Sequence, residues 1–256
     1  MFNSTGHLEG AKLSASDGDI GTLVDTYFDD QAWAIRHLVV DTGNWLYGRS
    51  VLISPYAVQQ PVAGDTSIRL ALTRQQIKDS PDVDTRQPVS RQQELALARH
   101  YAYPAYWDGG GLWALDAMPD AALTATAPTG RAANHAMLAG DLLGDDVHLR
   151  SSGHVTGYDV QASDDSIGPV QDFVFDVRSW AIRYLVVDTQ RWWPGGQRVL
   201  VGTHWVDRID WASRQLHMRL TLAQVRASPG FQDVASISRD DEIRLHRNYE
   251  RPGYWD

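Results

Sequence analysis

The chain contains no cysteine. That absence excludes disulfides, thiol nucleophiles, iron–sulfur clusters and Cys-ligated zinc. Long apolar runs are missing too: nothing approaches the ~20 consecutive apolar residues a membrane-spanning helix needs. The opening residues, MFNSTGHLEG, lack a basic segment followed by an apolar one, so no secretory signal is read there. Positive charge is the minority sign. Lys and Arg number 23 against 32 Asp and Glu, a net charge of -9, and such a chain repels phosphate backbones unless a local basic patch forms. Motifs of nucleotide and nucleophilic chemistry are absent: there is no GxxxxGK[ST], no GxGxxG after a strand, no Gly-x-Ser-x-Gly and no HExxH. These absences lead us to expect a soluble, cytoplasmic, non-enzymatic protein with no membrane span, no nucleic-acid partner, no metal and no cofactor.

What is present is globular. The 256 residues are 43% hydrophobic and 10% aromatic, enough for one large domain or two ordinary ones. An internal repeat decides for two. Residues 15–48 and 162–195 align at an offset of 147 with 19 of 34 positions identical. The match reaches upstream, where Ser4–Leu8 faces Ser151–Val155. One extra residue near Gln197 moves the offset to 148, and Val51–Ile53 then faces Val199–Val201. Ser80-Pro81 faces Ser228-Pro229, and Ser90–Glu94 faces Ser238–Glu242. Each copy closes on Tyr-Trp-Asp: Tyr106-Trp107-Asp108 and Tyr254-Trp255-Asp256. The expected organisation is a first unit over 1–108, a flexible Ala/Gly/Thr/Pro-rich linker over 109–150 with a short helix at Ala132–Leu143, and a second unit over 151–256.

Trp33–Asp41 carries the densest strand signal, with Ile35, His37 and Val39 on one face and Arg36, Leu38 and Val40 on the other. Ile20–Phe28 is its hairpin partner, and Ser50–Ser54 and Ser67–Leu72 are shorter strands. A helical segment runs from Thr73 through Lys78 until Pro81. Ser90 heads a second helix, with Gln93 at the capping-box position, and Ser238 heads its twin before Asp240, Asp241 and Glu242. Apolar residues on both strand faces and evenly spaced short strands predict a mainly β chain of two tandem small barrels with short helices.

The combined pattern resembles the PRC-barrel domain. It consists of Asp17, Ile20, Gly21, Asp25, Phe28, Asp29, Trp33–Thr42 and Val51–Ile53. The second copy repeats it at Asp164, Ile167, Gly168, Asp172, Phe175, Asp176, Trp180–Thr189 and Val199–Val201. The resemblance covers both units and not the linker. It implies two PRC-type β-barrels that work by contacting another macromolecule, with no catalytic residues to carry over. Within that family stands the cytoplasmic domain of the photosynthetic reaction-centre H subunit. An accessory protein supporting electron transfer at a reaction centre is therefore an alternative to a protein-interaction adaptor. This chain has two barrels and lacks an N-terminal membrane helix, unlike that subunit. A metal-binding or enzymatic protein is the second alternative.

Among candidate residues, Asp17, Asp19, Asp25, Asp29 and Asp30, echoed by Asp164, Asp165, Asp172 and Asp176, lack EF-hand spacing and read as turn and strand-end acids bonding the backbone. His7 and His154 match between copies and read as polar residues of each first strand. Trp33 and Trp180 read as core. Two aromatic sets are candidates for contacting a protein partner: Trp45, Tyr47, Trp192 and Trp193 in Gly-containing loops, and Tyr106, Trp107, Tyr254 and Trp255 in the tails. Capping of the barrel ends by the loops, and folding back of the tails, are the packing alternatives. Duplication and near-equal length predict an intramolecular pseudo-dimer of the two units.

Overall fold

A computed structural model describes residues 1–59, 67–83, 85, 89–125, 148–190 and 194–256. The chain is mainly β with short helices, and it forms two compact units. The N-terminal unit comprises Leu8–Ser151 and Val177–Ala181; the C-terminal unit comprises Met1–His7, Ser152–Asp176 and Ile182–Asp256. By contacts the chain divides after residues 7, 151, 176 and 181. The reason is an exchange of strands described below. The expected helix at Ala132–Leu143 lies outside the described residues.

The first strand, β1 (Phe2–Ser4), belongs to the C-terminal unit. The N-terminal sheet holds β2 (Lys12–Ala15), β3 (Gly18–Asp29), β4 (Ala34–Asp41), β5 (Ser50–Ile53), β6 (Ser67–Arg69) and β7 (Leu149–Ser151). Its order is β5-β4-β3-β2-β6, with β7 on β3. Strand β4 is buried from Ala34 through Val40, as apolar residues on both faces require. Its helices are α1 (Thr5–Leu8, at the boundary), α2 (Arg74–Lys78), α3 (Arg91–His100) and α4 (Pro119–Ala125). Thr73 and Ser90 close capping boxes with Gln76 and Gln93.

The C-terminal unit follows the same plan. It contains α5 (Ser152–Val155), β8 (Asp159–Gln161), β9 (Ser166–Asp176), β10 (Ile182–Asp188), β11 (Arg198–Gly202), β12 (Val206–Asp210), β13 (Gln215–Met218), α6 (Leu222–Arg226) and α7 (Arg239–Asn248). The order is β11-β10-β9-β8-β13-β12, with β1 on β9. Both sheets are open paths, and no closed barrel is found among the described residues.

One glycine in each unit fixes a crossing. A Cβ on Gly21 (φ 154°) would lie 2.1 Å from Asp41 O, and one on Gly168 (φ 129°) 2.1 Å from Asp188 O. Only glycine permits that approach. Trp180 is in the core, as expected, and Trp33 is half-buried, but neither lies in a strand. Both sit in the turn before the long strand, at φ 50° and 57°, a left-handed conformation rare for so bulky a residue. Trp180 is buried, and Trp33 stacks on Phe28 at 5.4 Å.

The exchange is reciprocal. By the repeat, β7 is the counterpart of β1. Yet β7 pairs with β3 (Tyr27↔Ser151, Phe28↔Arg150, Asp29↔Leu149), and β1 pairs with β9 (Val174↔Ser4, Phe175↔Asn3, Asp176↔Phe2). The registers are identical at an offset of 147. An aspartate holds each incoming strand at its end: Asp25 accepts from Ser151 Oγ at 2.5 Å, and Asp172 accepts from Thr5 Oγ1 at 3.0 Å and Gly6 N at 2.9 Å. Asp30 adds an ion pair with Arg150 at 2.8 Å.

The first part of the expected linker is packed. Trp113 is fully buried and its Nε1 donates to Ser179 O at 2.7 Å, while Leu112 O accepts from Arg36 at 2.6 Å. Apolar burial of one tryptophan outweighs the high glycine content of its surroundings.

Candidate functional site

Each unit builds a polar cluster from matched residues beneath its Tyr-Trp-Asp tail. Helix α3 supplies Arg91 and Glu94, one turn apart on one face. Strand β4 supplies Arg36. In the N-terminal unit the Tyr106 hydroxyl donates to Glu94 Oε2 at 2.6 Å and accepts from Arg91 at 2.8 Å. Arg91 also pairs with Glu94 at 3.4 Å and donates to His148. The Arg36 guanidinium lies 3.9 Å from the Tyr106 ring centre and that of Arg91 4.2 Å from the Trp107 ring centre. Burial, together with the adjacent Glu94 carboxylate, pushes the Tyr106 phenol well above its usual range, and burial lowers Arg36. Arg36 keeps an ion pair with Asp29 at 3.3 Å.

In the C-terminal unit, Glu242 Oε1 accepts from both Tyr254 and Tyr184 hydroxyls at 2.8 Å, and Oε2 pairs with Arg239 at 3.1 Å. Arg183 lies 4.1 Å from the Tyr254 ring centre and Arg239 4.2 Å from that of Trp255. Burial and Glu242 push the Tyr254 phenol up to about 12.

The copies differ at the centre of the cluster. Strand β4 places His37 where β10 places Tyr184, and α3 places Ala98 where α7 places His246. His37 Nε2 stands 3.8 Å from Glu94, and neither His37 nitrogen nor the Tyr56 hydroxyl has a hydrogen-bond partner among the described residues. They line a cavity of about 20 Å³, the size of one water. His246 instead fills its space. Its Nδ1 donates to Pro252 O at 2.7 Å, and its Nε2 lies 3.1 Å from the Tyr184 hydroxyl. Burial lowers the His246 pKa. His204 is exposed, but one ring face is covered by His246 at 5.4 Å; partial burial and then the neighbouring His246 pull it down to about 4.

The tails are thus tied to their own units. Tyr106 is buried, Trp107 and Tyr254 are half-buried, and Trp255 presents an exposed edge while its ring packs on His246 at 4.8 Å. The loop aromatics diverge. Trp45 is half-buried, with the Arg74 guanidinium 4.6 Å from its ring centre, and Tyr47 is fully exposed. Trp192 and Trp193 lie outside the described residues. Tyr47 sits at φ 54° in a turn closed by Gly48 N donating to Gly43 O at 2.7 Å and Thr42 Oγ1 donating to Arg49 O at 2.6 Å.

The acidic residues bond backbone groups at equivalent places. Asp17 accepts from Arg74 N at 2.7 Å and Asp164 from Leu222 N at 2.8 Å, each at the start of a helix. Among the described residues, no three His, Asp or Glu side chains converge as metal ligands would. His7 and His154 are exposed on the one-turn helices α1 and α5, not on the first strands expected for them. In each copy the helical turn begins directly after the exchanged strand, and Ser4 Oγ caps the first by accepting from His7 N at 3.2 Å. No helix among the described residues is long and apolar enough to cross a membrane.

The Glu94–Tyr106 and Glu242–Tyr254 pairs were not foreseen from the sequence. Their signal was an acid kept in both copies on a helix face that the flanking leucines bury. Comparison with protein-family models and with curated proteins finds no match for the chain.

Proposed function

We propose that the chain is a non-catalytic protein-interaction adaptor of the cytoplasm, built from two PRC-type barrel units, that contacts its partner through the Gly43–Gly48 loop. The observation that carries this reading is Tyr47. Its ring is wholly in solvent, yet its backbone is held in a closed left-handed turn. A large ring presented without further ordering cost is what a protein interface uses as an anchor. Trp45 and Arg74 stiffen the loop from behind. The matched aromatics of the tails are engaged by Arg and Glu of their own units, which supports a packing role for them. The reciprocal placement of β1 and β7 supports reading the repeat as an intramolecular pseudo-dimer.

The test is affinity purification of tagged full-length protein from its source cells, beside the Tyr47→Ala variant. The expected outcome is a stoichiometric protein partner retained by the wild type and reduced at least tenfold with the variant. Equal retention, or no partner in either soluble or membrane fractions, overturns the reading.

A further inference from the structure

We infer that the C-terminal unit contains a binding site for a small aromatic molecule carrying one hydrogen-bond donor, uncharged or cationic, in the cleft between β10, β11 and α7. The site belongs to a different unit from the Tyr47 loop, so it stands or falls independently of the adaptor reading.

The cleft has a volume of about 320 Å³ and is lined by Tyr184, Leu200, Phe231, Ile237, Glu242 and Leu245, among others. That volume is in the range of small-molecule pockets. The N-terminal unit shows what normally occupies this place. There, the counterparts Leu52, Val83, Val89 and Leu97 form one core cluster with Tyr27. The Tyr27 ring spans from β3 to the opposite segment, where its hydroxyl donates to Thr85 O at 2.7 Å. At the position of Tyr27 the C-terminal sheet has Val174, a much shorter side chain with no hydroxyl, beside the cleft-lining Tyr184 on the next strand. Phe231 and Ile237 are larger than the valines they replace, yet the cleft stays open.

The chemistry of the wall selects the ligand. Glu242 is buried and ionically paired, and its Oε1 already accepts two phenols. Its Oε2 takes only Arg239 among the described residues, so it keeps accepting capacity toward the cleft. Asp241 stands at the rim, and Arg244 is already paired with it. Two carboxylates, with no unpaired cation among the described lining residues, disfavour carboxylate and phosphate ligands. The apolar walls accept a ring, and a hydroxyl, amine or ammonium on that ring reaches Glu242.

The experiment is ligand-observed NMR and calorimetry on the full chain with phenol, benzyl alcohol and benzylamine, and with benzoate as the anionic control. We expect at least one of the three donors to bind saturably, and benzoate at least tenfold more weakly. Val174→Tyr, which installs the plug of the other unit, abolishes binding. Ile237→Trp fills the cleft from the opposite wall and serves if the first variant does not fold, as judged by circular dichroism. The inference is overturned if none of the three donors binds, if benzoate binds equally well, or if a folded plug variant leaves binding unchanged.

Discussion

The two units carry one plan with two centres. In the N-terminal unit, Glu94 and Arg91 are both buried and the histidine sits on the strand, beside a small cavity. In the C-terminal unit the histidine has moved to the helix, a tyrosine takes the strand position, and Arg239 reaches solvent with 54% of its side chain exposed. The duplicated framework of arginine, glutamate, tyrosine and tryptophan locks the tail in both. Divergence is concentrated in what fills the space around it. A scaffold held by charge-assisted hydrogen bonds tolerates repacking next to it, because the tail tyrosine meets its glutamate in both units whether the strand residue is His37 or Tyr184.

The largest test of this comparison is at the glutamates. Glu94→Ala leaves the buried Arg91 without its counter-charge and is expected to cost about 3–5 kcal/mol. Glu242→Ala frees an Arg239 that water already reaches, so the loss is that of the phenol bonds, about 1–3 kcal/mol. Denaturant unfolding of both variants checks the order; an equal or reversed ranking breaks the contrast. Next come the glycines, where the units are expected to agree. Gly21→Ala and Gly168→Ala each force a Cβ onto a carbonyl oxygen and are expected to destabilise by about 1–3 kcal/mol, equally within error. Thermal unfolding of the pair reads this directly.

A smaller effect separates the units by pH. His204 and His246 are harder to protonate folded than unfolded, so the unfolded chain binds protons first as pH falls. Stability contributed by their neutral forms is present above about pH 6.5 and declines as pH drops toward about 4. His246→Ala, which installs the residue of the other unit, flattens that decline in a melting-temperature profile. An unchanged slope shows that other groups govern it. The effect is modest because His204 is largely open to solvent. The smallest change in stability is at Tyr47→Ala, expected to be within ~0.5 kcal/mol in unfolding measurements, because its ring touches solvent alone. Its consequence falls on partner binding instead.

Much of the local structure was legible. Ser90 with Gln93, Thr73, and the two-faced apolar pattern of Ile35–Val40 name their elements because caps and periodicity are local signals. Trp180 is core as its composition suggests, but neither it nor Trp33 lies in a strand, because strand-like composition continues through a left-handed turn that nothing in the pattern marks. Trp113 was hidden in a segment whose glycine and alanine content suggests a linker. The exchange of β1 and β7 was not legible at all. Each copy carries an equivalent short strand, and pairing with either sheet satisfies the same backbone hydrogen bonds; the Arg150–Asp30 ion pair, where the other copy has Val177, is a side-chain difference between them. The Tyr27 to Val174 difference was visible in the repeat, but its meaning needs the facing wall at 231–237, distant in sequence.

That exchange sets the order in which the molecule is made. Synthesis delivers Met1–Ser4 long before the strand β9 that receives it, and β3 waits for residues 149–151. Until residues 149–151 are made, the end of β3 lacks its final partner, and the edge is open to β1 of the same chain or to stray chains. A nascent first half has no complete sheet of its own, so a prematurely released fragment is a candidate for chaperones or proteolysis. The folded molecule is a joint product of both repeats, each sheet holding a strand from the other.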